Sequence, residues 1–495
     1  MTDTANPTPM GRQLARRKPL TVQTGPHAGP ELSRSFGTFQ LMMFGVGATV
    51  GTGIFFVLQE AVPDAGPAVV VAFLVAGLGA GLSAICYAEL ASAIPVSGST
   101  YSYAYHAMGE LMAMVIAACV LLEYGVAGSA VAVGWSGYFN ELTDSLFGVS
   151  LPDSLSYSPV PYEDNVTGLI NLPAVVLVLL CMILLIRGAS ESARVNTVMV
   201  IIKLSVLLLF VVIGLTAYDA DNFSNFWGAG ASGVSAAAAT IFFSFIGLDA
   251  VSTAGEEVRD PQRALPRAIM GALVVVVTVY VLVAIAGVGA QPVEEFEDPD
   301  QQSAGLSVIL ENVTGSSVPG TILAAGAVIS IFSVTLVTLY GQTRILFAMG
   351  RDGMLPSRFS SVNPRTLTPQ FNTVVVAIVV ALIAGFVPAD YLWDTVSIGT
   401  LCAFSVVAVG VIVLRITHPE LHRPFRVPGY PVTPILTVAV CIYILSGLPA
   451  STWLIFGVWL AVVLLFYLLW GRRHALLNHP EDLTAGSGLG EEEPR

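Results

Sequence analysis

Long apolar stretches, separated by short polar connections, run along almost the whole chain. A helix needs about 20 apolar residues to cross the hydrocarbon core of a bilayer, and twelve stretches approach that length. We therefore predict an all-α integral membrane protein with twelve transmembrane helices. The predicted spans are 38–58, 66–93, 109–137, 168–187, 192–217, 233–257, 265–289, 318–349, 372–388, 391–416, 434–449 and 452–471.

All basic residues of the chain except one fall on one side of this arrangement. With the N-terminus in the cytoplasm, every Lys and Arg except Lys203 lies in a tail, in a cytoplasmic connection or at its flank, and the outer connections hold none. Cytoplasmic loops of membrane proteins carry an excess of Lys and Arg. We therefore predict a multi-pass protein of the cell membrane with both termini cytoplasmic, residues 1–37 forming one tail and the acidic residues 472–495 the other.

Composition excludes several classes of protein. The chain is 55% hydrophobic and 11% charged, whereas a soluble domain has about 25% charged residues. The net charge of −13, without a basic patch among aromatic residues, argues against nucleic-acid binding. The cysteines lack metal-ligand spacing, and no Ser/His/Asp, HExxH or paired-carboxylate set occurs, so we expect no enzyme, metal or cofactor. A channel is disfavoured because filter repeats and charge rings are missing.

Two of the predicted spans contain residues that interrupt a helix. Residues 45–53 of the first span read GVGATVGTG, and the sixth span holds Gly247 and Asp249 near its middle. Glycine is a poor helix former, although close helix packing is an alternative reason for a membrane glycine. Secondary carriers often pair two inverted repeats, each opening with an interrupted helix. We predict broken helices 1 and 6, two five-helix repeats and two extra helices, at 38–217, 233–416 and 434–471.

Six sequence stretches then point to one family. They are GATVGTGIF (47–55), CYAELASAIPVSGSTYSY (86–103), LLEY (121–124), FFSFIGLDAVSTAGEEVRDPQRALPRAI (242–269), YGQTRILFAMGRDGMLP (340–356) and RPFRVPGYP (423–431). From about Phe36 to Trp470 the chain resembles the amino acid–polyamine–organocation superfamily, within it the cationic amino acid transporter family and its bacterial proton-coupled relatives. The resemblance implies a LeuT-type fold, a 5+5 inverted repeat plus two helices, with an amino-acid site at the middle of the membrane.

An amino acid brings a carboxylate into this apolar environment, where an unpaired charge is costly. The second half of the broken first helix should begin near Gly51. Its free N–H groups on Gly51, Thr52 and Gly53 can bind the carboxylate, assisted by the helix dipole. Glycine matters at 51 and 53 because a side chain would hold the carboxylate away.

The ammonium of the same substrate needs oxygen acceptors. The first half-helix should end near Thr49 and Val50 and leave their carbonyls free for this group. Carbonyls of Phe243, Ser244 and Ile246, at the second interruption, should complete the set.

The family resemblance implies three residues around the substrate side chain. They are Ala127 on the third span, Phe243 on the sixth and Ile331 on the eighth, with Phe243 as the outer lid. Ordinary helix packing is the alternative for each. Asp249 follows the second interruption directly, where its side chain could cap the next half-helix.

Lys203 lies in the middle of the fifth span, within VMVIIKLSVLLLF. A charged residue at this depth is costly and usually functional, and lysine, unlike arginine, can lose its proton. In sodium-coupled members of the fold a cation lies near this part of the span, and an ammonium can replace it. We interpret Lys203 as the proton-coupling residue, with Glu123 on the third span as its partner. A structural ion-paired lysine is the alternative.

Charges at the cytoplasmic helix ends are candidates for an inner gate. Glu89 ends the second span, and Glu256, Glu257 and Arg259 end the sixth. Ion pairs between them would close the pathway from the inside. A solvated helix end is an equally simple interpretation.

We therefore expect a secondary active amino acid transporter that works by alternating access and is driven by protons. Its partners are a small amino acid, protons and the lipid bilayer. Small neutral substrates are favoured because Ile331 narrows the pocket, and cationic amino acids are the second candidate. An exchanger, a sodium-coupled carrier and a non-transporting nutrient sensor remain alternatives.

Overall fold

The computed structural model describes residues 14–19, 32–149, 151–160, 167–297, 305–388, 390–446, 448 and 450–478. Helices are the regular secondary structure of the described residues. The one β-type backbone pairing among these residues is an isolated parallel bridge between Phe36 and Val258. The predicted all-α class is therefore confirmed.

The first half of the chain forms helices that match the first six predicted spans. Their bounds are α1 Thr38–Thr49, α2 Thr52–Ala65, α3 Val69–Ala93, α4 Ser99–Ala107, α5 Glu110–Phe147, α6 Leu172–Arg187, α7 Ala189–Thr216, α8 Gly230–Phe242 and α9 Ala250–Thr253.

The second half follows the remaining six spans in the same way. Its helices are α10 Pro261–Ala290, α11 Leu306–Thr314, α12 Ser317–Arg351, α13 Gln370–Phe386, α14 Asp390–Thr417, α15 Val432–Leu445 and α16 Ala450–Phe466. The hydrophobic pattern does not predict α4 or α11, because both are short helices in connections between spans.

Eight helical stretches of the described chain are long and apolar enough to cross a membrane. Helices α6, α13 and α15 are apolar but shorter, and α1 has only 12 residues before its interruption. Many large apolar side chains on these helices face outward, among them Leu78, Leu382 and Leu454. Exposed apolar surface on this scale suits contact with lipid rather than water.

The structure has helix interruptions at both places where the glycine pattern indicates them. Helix α1 stops at Thr49 and α2 starts at Thr52, while a 3-10 turn over 243–245 and a non-helical segment separate α8 from α9. Gly247 has φ +108°, and a Cβ on it would lie 2.7 Å from the carbonyl oxygen of Ala48. Only glycine fits there, so the two interruptions are in direct backbone contact.

Both described tail segments lie at the same end of the helix bundle. Residues 14–19 contact the start of α5, and residues 472–478 contact the end of α12. We call this end the tail face. The opposite end carries residues 219–229 and 292–297.

Candidate functional site

The first interruption exposes backbone polar groups in the middle of the bundle. Val50 is extended, and Gly51, the N-cap residue of α2, has no side chain with which to cap the following N–H groups. The first N–H groups of a helix have no partner within the helix, and the helix dipole attracts anions to them. The start of α2 is therefore suited to bind a carboxylate.

The ammonium of Lys203 lies behind this interruption. Its Nζ donates to the carbonyl oxygens of Gly47 at 2.9 Å and Val50 at 2.5 Å, and to Oγ of Ser333 at 3.4 Å. The side chain is fully buried. An ammonium has three donors, and these acceptors use all three. Lys203 thus connects α7 to α1 through two carbonyls at the interruption, and to α12 through the hydroxyl of Ser333.

Neighbouring side chains hold the same backbone. Ser330 Oγ donates to the Val50 carbonyl at 3.0 Å, Ser333 Oγ donates to Asn196 Oδ1 at 2.8 Å, and Asn196 Nδ2 donates to the Met43 carbonyl at 3.3 Å. The Val50 carbonyl therefore accepts two hydrogen bonds, one for each lone pair. The expectation that this carbonyl is free for a substrate ammonium is wrong, because lysine and serine donors already occupy it.

Tyr280 on α10 connects the two interruptions. Its fully buried hydroxyl lies 3.1 Å from the carbonyl oxygen of Thr49 and 2.9 Å from that of Ser244. A hydroxyl has one hydrogen, so the two carbonyls share one donor and each keeps a free lone pair. Sequence reasoning missed this residue. The available signal was a tyrosine in the middle of the valine-rich stretch VVVVTVYVLV.

A cavity of about 60 Å³, here called the central pocket, lies between the interruptions. Most of the expected substrate residues line it, namely Thr49, Gly51, Thr52, Gly53, Ala127, Phe243, Ser244 and Ile246. Val50 and Ile331 do not. Ile331 lies about one helical turn before the pocket on α12, and Val334 takes its place: a Cβ on Gly51 would lie 2.9 Å from Val334 Cγ2.

Two buried carboxylates also line the central pocket. They belong to Glu123 on α5 and to Asp249, which accepts a hydrogen bond of 2.6 Å from the Tyr124 hydroxyl instead of serving the expected cap. Among the described residues, Glu123 Oε2 and Asp249 Oδ1 have no hydrogen-bond partner. The expected ion pair between Glu123 and Lys203 is not formed, because the three donors of that ammonium point elsewhere. Buried acceptors of this kind favour a ligand that brings donors.

A larger cavity of about 590 Å³ adjoins the central pocket. It lies among α2, α8, α14 and α15, and Glu60 is one of its lining residues. The half-buried Phe243 lines both cavities, as do Thr52, Gly53, Ser244 and Ile246.

The expected gate residues Glu89 and Arg259 do not meet. Glu89 pairs with Arg415 and, at 3.4 Å, with Arg423, and it accepts a bond of 2.6 Å from the backbone N–H of Val427. It therefore anchors the connection after α14. The Arg259 side chain is exposed and forms no ion pair with a described residue, because it projects away from the bundle. The gate interpretation fails for this pair.

Two other ion pairs lie near the tail face. Glu257 pairs with Arg344 at 2.7 Å, both fully buried, and accepts a bond of 2.7 Å from the Tyr340 hydroxyl. Glu256 pairs with Arg351 at 2.6 Å. The segment after α9 is thereby tied to α12. We call these two pairs the inner ion pairs.

Sequence comparison with known proteins gives the family to which the chain belongs. The sequence model of a family described as amino acid permease matches residues 36–470. Two proteins of Bacillus subtilis (strain 168) are each 42% identical: the methylthioribose transporter, over 94% of this chain and 99% of its own length, and the branched-chain amino acid permease BcaP, over 90% and 95%. The vacuolar cationic amino acid transporter 2 of Arabidopsis thaliana is 37% identical over 83% of this chain and 64% of its own length.

The helical fold with its apolar surface is that of a membrane transporter. The chain belongs to the amino acid permease family of the amino acid–polyamine–organocation superfamily. These relatives carry the names of transporters and permeases, not of enzymes.

Gly51→Val should strongly weaken ligand binding while the protein still folds. The added methyl groups would push against Val334 and block access to the N–H groups of α2. Losing charge-assisted hydrogen bonds worth about 1.5–3 kcal/mol each should weaken binding roughly 100-fold. Thermal stabilisation of the purified protein by common amino acids measures this effect.

Gly137→Val on α5 is the matched control, because a Cβ there meets nothing within 4 Å. Normal affinity in Gly51→Val, or an equal loss in both variants, would show that the ligand binds elsewhere.

Proposed function

We propose that this protein is a secondary active amino acid transporter that moves its substrate by alternating access and is coupled to protons. The observation that carries the proposal is the central pocket between two helix interruptions. The pocket offers backbone N–H groups to a carboxylate and the carbonyls of Thr49 and Ser244, each with a remaining lone pair, to an ammonium. An α-amino acid carries both of these groups.

The surrounding bundle fits a LeuT-type arrangement. On this proposal α1–α7 form the first repeat, α8–α14 the inverted second repeat, and α15 and α16 the two extra helices, giving twelve spans. The two interrupted segments open the two repeats and contact each other at Gly247. The larger cavity leads away from the tail face, and the ion pairs lie at the tail face. On this proposal the structure is a carrier that is open on the side opposite the tail face.

For the substrate side chain, the carboxylates of Glu123 and Asp249 favour hydrogen-bond donors. A cationic amino acid would satisfy the two unpartnered oxygens. The sequence analysis favoured small neutral over cationic amino acids, because Ile331 was expected in the pocket and Glu123 was expected to be neutralised by Lys203. Neither expectation matches the pocket of this structure, so the preference is reversed here. The pocket is small in this structure, so small neutral amino acids are the second candidate.

For coupling, Lys203 is the titrating group. Protonated, it donates to three acceptors and fixes α1 against α7 and α12. Deprotonated, it has one donor fewer and presents a lone pair to carbonyl oxygens, which loosens α1. An ammonium on these carbonyls also disfavours a sodium ion in the same place. Exchange without net proton movement, and nutrient sensing without transport, are the competing functions.

Uptake into proteoliposomes should be largest for lysine or arginine within a panel that also includes alanine, leucine and methylthioribose. Glu123→Gln and Asp249→Asn should each reduce the apparent affinity for the cationic substrate roughly 10- to 100-fold and leave that for alanine within about twofold, because only the charge-assisted bond is lost. Uptake of neutral substrates alone would contradict the cationic assignment, and no uptake at all would favour a sensor.

Accumulation driven by a proton gradient should depend on Lys203. Lys203→Ala should lose pH-dependent accumulation. Lys203→Arg should still bind substrate but fail to couple, because arginine keeps its charge. Uptake at several external pH values, with counterflow exchange as the control for binding, measures both. Wild-type pH dependence in Lys203→Arg would make the lysine structural.

We further propose that the tail face is cytoplasmic and that the protein resides in the cell membrane. A cysteine at the exposed Glu294, opposite the tail face, should react with an impermeant maleimide added to intact cells. A cysteine at the exposed Arg358 should react only after the cells are opened. The reverse pattern would invert the topology.

A further inference from the structure

The larger cavity has one charged group in a wall that otherwise consists of apolar side chains, hydroxyls and a glycine. Among the described residues that line it, Glu60 on α2 is the one with an ionisable side chain. Glu60 is exposed and forms no ion pair with a described residue. A molecule that enters the cavity therefore meets a single carboxylate.

The chain supplies no basic residue near this carboxylate. Between Arg34 and Arg187 the sequence contains neither Lys nor Arg, and the predicted outer connections hold none. Lys203, the basic residue at the middle of the bundle, is fully buried and uses its three donors on Gly47, Val50 and Ser333. The charge of Glu60 is therefore left for a cation that comes from solution.

Glu60 lies between the central pocket and the end of the bundle opposite the tail face. Thr52, the first residue of α2, lines both cavities, and Glu60 follows it by about 12 Å along the helix axis. Further along α2, Pro63 lines a third cavity together with Asn222 and Pro292, which lie at the opposite end. A solute that moves from that end to the central pocket therefore passes the carboxylate.

The rest of the wall also suits a cationic amino acid. Half-buried Phe56 and Phe243 line the cavity, and the face of an aromatic ring attracts an ammonium or a guanidinium. Ser244 lines both cavities, is almost fully buried, and its Oγ has no hydrogen-bond partner among the described residues. The volume of about 590 Å³ lies within the roughly 300–1,000 Å³ of small-molecule sites.

We propose that the larger cavity is an entry site for the cationic substrate, in which Glu60 pairs with the ammonium or guanidinium of the substrate side chain before the substrate reaches the central pocket. The inference rests on the cationic substrate of the proposed function and adds a second binding site to it. Glu60 lines the larger cavity and not the central pocket, so its role is in recruitment and selection.

The chain contains a matched control for Glu60. Asp64 lies one helical turn further along α2, is exposed, forms no ion pair with a described residue and does not line the larger cavity. Asp64→Asn changes the net charge as much as Glu60→Gln. Any effect of acidic charge on α2 as such would therefore appear in both variants.

The experiment measures how fast Ser397→Cys, at a half-buried lining position on α14, reacts with two methanethiosulfonates, one carrying trimethylammonium and one carrying sulfonate. Full-length protein in detergent is used, and the parent protein gives the background of the native cysteines. The ratio of cationic to anionic rate should fall roughly tenfold on adding Glu60→Gln, because the carboxylate attracts one reagent and repels the other. Glu60→Asp should keep the ratio, and Asp64→Asn should leave it within about twofold.

Protection by substrate tests occupancy of the same cavity. Arginine should slow the reaction of Ser397→Cys with the uncharged methyl methanethiosulfonate, and alanine at the same concentration should not. Glu60→Gln should remove this protection. Gly51→Val should keep it, because Gly51 lines the central pocket and not the larger cavity.

An unchanged ratio in Glu60→Gln, an equal fall in Asp64→Asn, or equal protection by alanine would overturn the entry site. Both readouts are independent of transport. Failed uptake would therefore leave them unaffected, and their failure would leave the uptake results intact. Thermal unfolding of each variant separates a lost charge effect from a general loss of structure.

Discussion

The structure depends on one constraint, which is that two helices stop in the middle of an apolar bundle and leave backbone polar groups without helical partners. Such groups cost several kcal/mol each in hydrocarbon and must be satisfied within the protein. Here Lys203, Ser330 and Tyr280 donate to the carbonyls at the end of α1. The N–H groups at the start of α2 receive no side-chain cap from Gly51.

The backbone groups with side-chain partners form a fixed part of the site, and those without such partners form an open part. The carbonyls that face α7 and α12 are saturated by side chains, so they hold the end of α1 in place. The groups that face α5 and α8 remain for a ligand, and the carboxylates of Glu123 and Asp249 lie on that side. Lysine suits the saturated side because its ammonium brings three donors to acceptors at the end of α1 and on α12, and on the proposed coupling mechanism the same ammonium can lose a proton.

The apolar helices and both interruptions could be predicted because they are properties of local sequence, namely apolar length and glycine placement. The burial of Lys203 within an apolar helix could be predicted in the same way. The partner of Lys203 could not, because the choice between Glu123 and the carbonyls of Gly47 and Val50 depends on how α7 faces α1. Ile331 was one helical turn wrong for the same reason: sequence gives the face of a helix more readily than its axial position against a neighbour.

The partners of the ionic contacts at the tail face could not be predicted, because contacts between distant segments leave no local pattern in the sequence. Their physical character suits a gate. A buried pair such as Glu257 and Arg344 loses much of its Coulomb attraction to desolvation, so its net contribution is small even though its geometry is good. When the helices separate, water solvates both charges, and this hydration offsets most of the Coulomb attraction that is lost with the pair. Apolar packing of the same area would gain nothing from water and would resist opening. On the proposed function, a gate built from ion pairs can therefore be well ordered when closed and still open at moderate cost.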